Sequence, residues 1–170
     1  WRSVSFASTD HQQIQGWLAV PDGAGPFPAI LHVHGGPAAA MTEIFFPGSQ
    51  SWLDHGFAFL SINYRGSTTF GRPFLEKIWG NLGRWEVEDM VAAREWLVTE
   101  GIADPARVLV AGGSYGGYMA NWIATKLGRE TPWHVTRFHP YLDLSHLPST
   151  PIQRLEEAHA IGKKHGLEYV

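Results

Sequence analysis

The chain has 170 residues, a net charge of −3 and 44% hydrophobic content, enough apolar material for one buried core. That charge gives no electrostatic reason to expect nucleic acid or an anionic membrane surface as a partner, and no apolar stretch approaches the ~20 residues of a membrane span. There is no cysteine, so disulfides and thiolate-held metals are excluded; no signal-peptide pattern opens the chain, and the composition reads as cytoplasmic.

Two strands lead, Val4 to Ala7 and Ile14 to Val20. Phe27 to Pro37, FPAILHVHGGP, then reads as a buried strand of Ala29, Ile30, Leu31 and Val33 that runs into a Gly-Gly-Pro turn. His32 and His34 flank Val33 and therefore share a face of that strand. Gly56 to Tyr64 is a further apolar strand, ended by Arg65-Gly66-Ser67. Glu86 to Glu100 has helical spacing, with Val87, Met90, Val91, Leu97 and Val98 on one face and Gly101 as its stop. Trp79, Trp85 and Trp96 fall around this helix and are expected to bury apolar area. Asp104-Pro105 turns the chain into the strand Arg107 to Ala111. Strand, helix and strand repeated in this way imply parallel pairing.

The segment VLVAGGSYGGYMAN, residues 108–121, carries the chemistry. A β-branched run ends in Gly-x-Ser-x-Gly and passes straight into a helical pattern, which puts Ser114 at a sharp corner with its hydroxyl exposed. Acyl transfer develops negative charge on the substrate carbonyl oxygen, and fixed backbone donors aimed there are worth roughly 2.7–4 kcal/mol of barrier. The Gly35–Gly36 backbone and the N–H of Tyr115 are the expected donors. His34, just before those glycines, is read as ordering the turn rather than acting as a base.

Four segments, HVHGGP at 32–37, INYRGSTTFGRPF at 62–74, EVEDMVAAREWL at 86–97 and GGSYGGYMA at 112–120, resemble the catalytic domain of prolyl oligopeptidase-family serine peptidases, in particular the acylaminoacyl-peptidase and dipeptidyl-peptidase branch. The resemblance covers residues 1–121. It implies Ser114 as nucleophile, an oxyanion hole at Gly35, Gly36 and Tyr115, and a site wall at His34, Tyr64 and Arg65, although Arg65 reads equally well as a structural arginine holding its turn. In that family the acid and histidine of the triad come from loops after two later strands, and only 49 residues follow Asn121 here.

Residues 122–170 instead resemble a fragment of a radical-SAM protein related to pyruvate-formate-lyase activating enzymes, through the Pro-Trp-His-x-x-Arg-Phe-His-Pro run at 132–140 and the later Thr-Pro helix. Such chemistry needs three cysteine thiolates for its cluster, so no cofactor is expected. The chain reads as a chimera and as an excised segment. The tail should contribute a strand at His134 to Phe138, then a helix capped by Thr150 with Pro151 at its first position and Gln153 as capping-box partner, with Leu155, Ala158 and Ile161 on its apolar side and Gly166 as its stop.

The expected fold is a truncated α/β-hydrolase-like, mainly parallel sheet with two antiparallel leading strands and flanking helices, completed by this grafted βα unit as a continuation of one domain. Chain order alone offers Asp143 and His146 as a replacement acid and base, with His159 and His165 further on. His134, His139 and His146 match no compact zinc spacing, so no metal is expected. The expected function is peptidase or esterase chemistry at Ser114 on a small peptide or ester, with an incomplete triad and little activity. An inactive scaffold and a small carboxylate or acyl binder are the alternatives. An exposed sheet edge offers a route to self-association.

Overall fold

A computed structural model describes residues 1–127, 137–142, 145–168 and 170. It divides into two compact units, Trp1–Lys126 and Leu127–Val170.

The first unit is built on five strands, β1 (Arg2–Ala7), β2 (Gln13–Ala19), β3 (Phe27–Val33), β4 (Ala58–Asn63) and β5 (Ala103–Gly112), arranged β1-β2-β4-β3-β5. The β1–β2 and β2–β4 pairs are antiparallel, whereas β3 pairs parallel to β4 and to β5. The sheet is therefore mixed: the two leading strands are antiparallel as expected, and parallel pairing is confined to β3, β4 and β5. All six residues of β4 are buried, as a strand covered on both faces requires. Ile14, Leu18, Ile30, Leu31, Leu60 and Ile62 form the sheet's contribution to the core.

β5 starts earlier than the sequence indicates. Phe27 pairs with Ala103 but Ala29 pairs with Val108, so the Asp104-Pro105 turn is absorbed as an irregularity inside one strand. The Asp104 carboxylate accepts from the Ala106 N–H at 3.0 Å and from Arg107 Nε at 2.7 Å, which satisfies the bulged backbone locally.

Two helices had no sequence signal: α1 (Pro47–Asp54), with proline in its first turn, and the short α2 (Arg72–Glu76). α3 (Trp85–Thr99) is the expected amphipathic helix, and Gly101, at φ +68°, follows its C-cap and donates to the Val98 carbonyl. Its buried face is not wholly apolar. Glu86 and Asp89 are buried with Val87, Met90, Ala93 and Leu97, while Val91 and Val98 are only half-buried. Of the tryptophans, Trp96 stacks on Phe6 at 5.4 Å, whereas Trp79 is 62% exposed, against the expectation of burial. α4 (Tyr115–Leu127) follows Ser114 directly.

In the second unit, α5 runs Ile152–Lys164. Pro151, not Thr150, is its N-cap residue and no side chain caps it. Thr150 is engaged elsewhere: its hydroxyl accepts from the Phe138 N–H at 3.3 Å and its carbonyl from Arg137 Nε at 2.7 Å. Leu155 and Ala158 are half-buried, but Ile161 is 55% exposed and the buried positions are Gly162 and Leu167. Gly166, at φ +86°, ends the helix as expected. Of the strand expected at His134 to Phe138, residues 134–136 lie outside the described residues, and Arg137 and Phe138 are in neither helix nor strand.

Candidate active site

The corner between β5 and α4 is set by main-chain contacts. A β-carbon on Gly116 would lie 2.0 Å from the Val33 carbonyl oxygen, and one on Gly112 would lie 2.7 Å from the same atom. Only glycine lets the start of α4 close on the end of β3 this tightly. Ser114, at φ +56°, occupies the left-handed region that a side chain ordinarily avoids. Its carbonyl accepts from the N–H groups of Gly117 and Tyr118, and its side chain is exposed.

The same closure brings the Gly-Gly turn to the serine. A β-carbon on Gly35 would stand 3.4 Å from Ser114 Cβ and 4.0 Å from Ser114 Oγ, so the absence of a side chain there leaves the hydroxyl unobstructed. Gly36 continues the turn at φ +129°. Strands β3 and β5, adjacent in the sheet, thus place residues about 80 positions apart in sequence on one corner.

His34 is held rather than free. Its Nδ1 lies 2.8 Å from the Gly35 carbonyl and its Nε2 lies 2.9 Å from the Ser67 hydroxyl. A carbonyl only accepts, so Nδ1 carries the proton and Nε2 accepts from Ser67. The ring stacks on Tyr64 at 4.3 Å, and the Tyr64 hydroxyl donates to the His34 carbonyl at 2.8 Å. Burial holds the imidazole pKa below its usual range, which keeps it neutral. With both nitrogens committed, His34 orders the turn and has no lone pair left for a serine proton.

Arg65 belongs to a different set of contacts. Its guanidinium donates to Asp89 from Nε at 3.0 Å and from Nη2 at 2.6 Å, to Asp10 from Nη1 at 2.6 Å, and to Ser8 Oγ at 3.0 Å. It also lies over the Trp85 ring at 4.6 Å. All its donor nitrogens are engaged in tying the β1–β2 turn and β4 to α3, which favours the structural arginine over a site-wall role.

Two relevant residues escaped the sequence reading. Ser67 orients His34, and Glu86 accepts the Tyr115 hydroxyl at 2.5 Å and the Gly83 N–H at 2.7 Å. An acidic residue in the first turn of a helix ordinarily signals dipole complementation, so nothing in the sequence pointed to burial of Glu86. Asp143 lies outside the described residues. His146 is exposed in the second unit. Among the described residues no group of three His, Asp or Glu side chains is arranged to hold a metal, and no helix is long and apolar enough to cross a membrane.

A nucleophile-type elbow on a parallel β4-β3-β5 core defines this chain as part of an α/β-hydrolase fold. The comparisons narrow the class: the prolyl oligopeptidase family model matches residues 45–136, just over half of the sequence, and the chain belongs to that family. It is 35% identical over 130 residues to an uncharacterized peptidase, YuxL, of Bacillus subtilis, covering 74% of this chain and 20% of that protein. It is 38% identical over 128 residues to dipeptidyl aminopeptidase BIII of Pseudoxanthomonas mexicana, covering 68% of this chain and 18% of that one. Among solved structures, the acylaminoacyl peptidase of Pyrococcus horikoshii superposes with a TM-score of 0.69 at 31% identity, over 76% of this chain and 22% of that chain. The chain thus spans about a fifth of the length of the curated relatives it matches.

Proposed function

We propose that this chain carries the nucleophile and the oxyanion donors of a serine hydrolase acting on peptide or ester bonds, without the acid and base that its family uses. The observation that carries the reading is the left-handed Ser114 at the β5–α4 corner, with Gly35 directly across from its hydroxyl. In the proposed step Ser114 Oγ bonds to the acyl carbon as its O–H bond breaks and the proton passes to solvent, the carbonyl π electrons move to oxygen, and the Tyr115 N–H and the Gly35–Gly36 backbone stabilise that charge. Collapse breaks the bond to the leaving amine or alcohol, which takes up a proton from solvent; water then adds to the acyl carbon, the bond to Ser114 Oγ breaks, and the acid is released as the serine oxygen regains a proton.

Fast transfer needs a better acceptor for the serine proton than solvent, and His34, with both nitrogens committed, does not supply one. Asp143 and His146 remain the pair that follows Ser114 in chain order. A loop resembling another fold was not selected to bring a base within ~2.6–3.2 Å of Ser114. Donors without a base leave about 10³–10⁴-fold acceleration over water, too little to register in an ordinary assay. The family match runs on to residue 136, past the boundary at 122, so on this reading only the tail beyond residue 136 is a fragment of foreign origin that adds scaffold, not chemistry.

Mass spectrometry after treatment with a fluorophosphonate tests the nucleophile: a Ser114 adduct is expected, and binding of the reagent without an adduct would instead favour a carboxylate or acyl binder. Turnover of a p-nitrophenyl ester tests the missing base. The chain, Ser114→Ala and His146→Ala should all be equally slow; rapid turnover abolished by either substitution would show that the tail supplies a base.

A further inference from the structure

Glu86 is wholly buried, at the first turn of α3, yet it makes no ion pair among the described residues. Oε1 accepts from the Tyr115 hydroxyl and the Gly83 N–H, while Oε2 is buried with no hydrogen-bond partner among the described residues. An unsatisfied buried acceptor costs about 1–3 kcal/mol, so a carboxylate is an expensive way to fill this space if packing is all that is required. What the carboxylate contributes beyond packing is a charged acceptor for the phenol of Tyr115, a bond roughly twice as strong as one between neutral groups.

Tyr115 is the residue immediately after the nucleophile and the first of α4. Its ring reaches α3, so the Glu86 contact ties the start of the elbow helix to a helix that is itself fixed to β4 through Asp89 and Arg65. Desolvation and then the bond to Glu86 push the Tyr115 phenol well above its ordinary range, so it remains the donor at any working pH. The opposite wall is braced in the same manner, since the Tyr64 hydroxyl holds the His34 carbonyl just before Gly35.

We propose that Glu86 is a positioning residue for acyl transfer, holding Tyr115 through its phenol so that the backbone N–H beside Ser114 keeps its aim at the developing oxyanion. This rests on the hydrolase reading above. Glu86 touches neither substrate nor the reacting atoms; it acts through Tyr115 alone.

The test is the kinetics of Ser114 phosphonylation by a fluorophosphonate, in which the Ser114 Oγ–phosphorus bond forms, the phosphorus–fluorine bond breaks, and fluoride and the serine proton pass to solvent. The limiting labelling rate, the reagent concentration at half that rate and the final labelled fraction are measured for the chain, Glu86→Gln, Tyr115→Phe and the double variant. Removing an oxyanion donor outright costs about 10²–10³, so loosening one should lower the limiting rate about tenfold with half-saturation unchanged. Glu86→Gln keeps a neutral amide oxygen as a weaker acceptor and Tyr115→Phe removes the same bond, so the double variant should be no slower than Tyr115→Phe alone. Val91→Ala, half-buried on the same helix, lowers stability without touching the contact and should leave the limiting rate at the parent value. A merely structural role would lower the labelled fraction and spare the rate. Wild-type limiting rates in Glu86→Gln and Tyr115→Phe, or additive losses in the double variant, would overturn the inference while the hydrolase reading stands. Failure of that reading is seen separately, as a parent chain labelled no faster than Ser114→Ala, and it would remove the inference too.

Discussion

Replacing Arg65 with methionine isolates the energetic role of the buried ion pair. Arg65 and Asp89 are 1% and 0% exposed, and their closest approach is 2.6 Å. The substitution keeps most of the side-chain length but removes every guanidinium donor, leaving the Asp89 carboxylate with only the Arg65 backbone N–H at 2.8 Å and the Ser8 hydroxyl at 2.6 Å. Breaking a buried pair from one side costs about 3–5 kcal/mol, because the remaining charge is buried without compensation. Loss of the contact over Trp85 adds up to about 1 kcal/mol. Against a total stability of about 5–15 kcal/mol, that is a large fraction. Asp10 is the contrasting partner: its side chain is 38% exposed, so Asp10→Asn should cost no more than about 1 kcal/mol. Removing both buried charges, in Arg65→Met with Asp89→Leu, should recover most of the loss. Urea denaturation followed by tryptophan fluorescence gives all four values. An Arg65→Met cost below about 1 kcal/mol, or a double variant as unstable as Arg65→Met, would refute the argument that an uncompensated Asp89 is what the arginine prevents.

Three further expectations concern the corner and its strand. Ser114→Gly should be about 1 kcal/mol more stable than Ser114→Ala in thermal melts, because glycine relieves the left-handed strain and alanine keeps it; the reverse order would show that the corner is unstrained. Gly116→Ala should cost at least about 2 kcal/mol, since its β-carbon meets the Val33 carbonyl at 2.0 Å, whereas Gly113→Ala, with nothing within 4 Å, should fall within about 0.5 kcal/mol of the parent; equal effects would contradict the close approach. His32 is pushed down to about 4 by burial and then by His34, so below its ordinary value the unfolded chain takes up a proton that the folded chain refuses. Stability should therefore fall as pH drops from about 6.5 to 4, by at most about 3 kcal/mol from this residue. His32→Asn should flatten that slope in denaturation curves at pH 7 and pH 4.5, and an unchanged slope would assign the effect to other groups.

The sheet and the elbow were legible because local chemistry dictates them. Gly-x-Ser-x-Gly after a β-branched run leaves the chain few ways to turn, and Gly101 marks the end of α3 by the conformation it alone tolerates. What stayed hidden depends on partners remote in sequence. Glu86 and Asp89 look like solvent-facing charges on a helix until Tyr115, Gly83 and Arg65 are placed beside them. The even choice over Arg65 needed the same information. Asp104-Pro105 carries an ordinary turn signal, and only the β3 register shows that it sits within a strand. Thr150 is the residue type of a cap, but its hydroxyl accepts from the Phe138 N–H. α2, at five residues, is too short for hydrophobic periodicity to register.

The contact of Gly112 and Gly116 with the Val33 carbonyl is backbone against backbone, and no side chain helps define it. The placement of the serine consequently rests on main-chain contact, with the Tyr115–Glu86 bond as a brace beside it, and not on exposed side chains. Exposed positions on the elbow helix that do not touch Tyr115, unlike Tyr118, whose ring lies 5.5 Å from that of Tyr115, are the ones to exchange for others of different size or polarity. Selectivity and nucleophile placement are thus separable properties in this segment, which makes it a suitable host for grafting new substrate preferences by surface exchange alone.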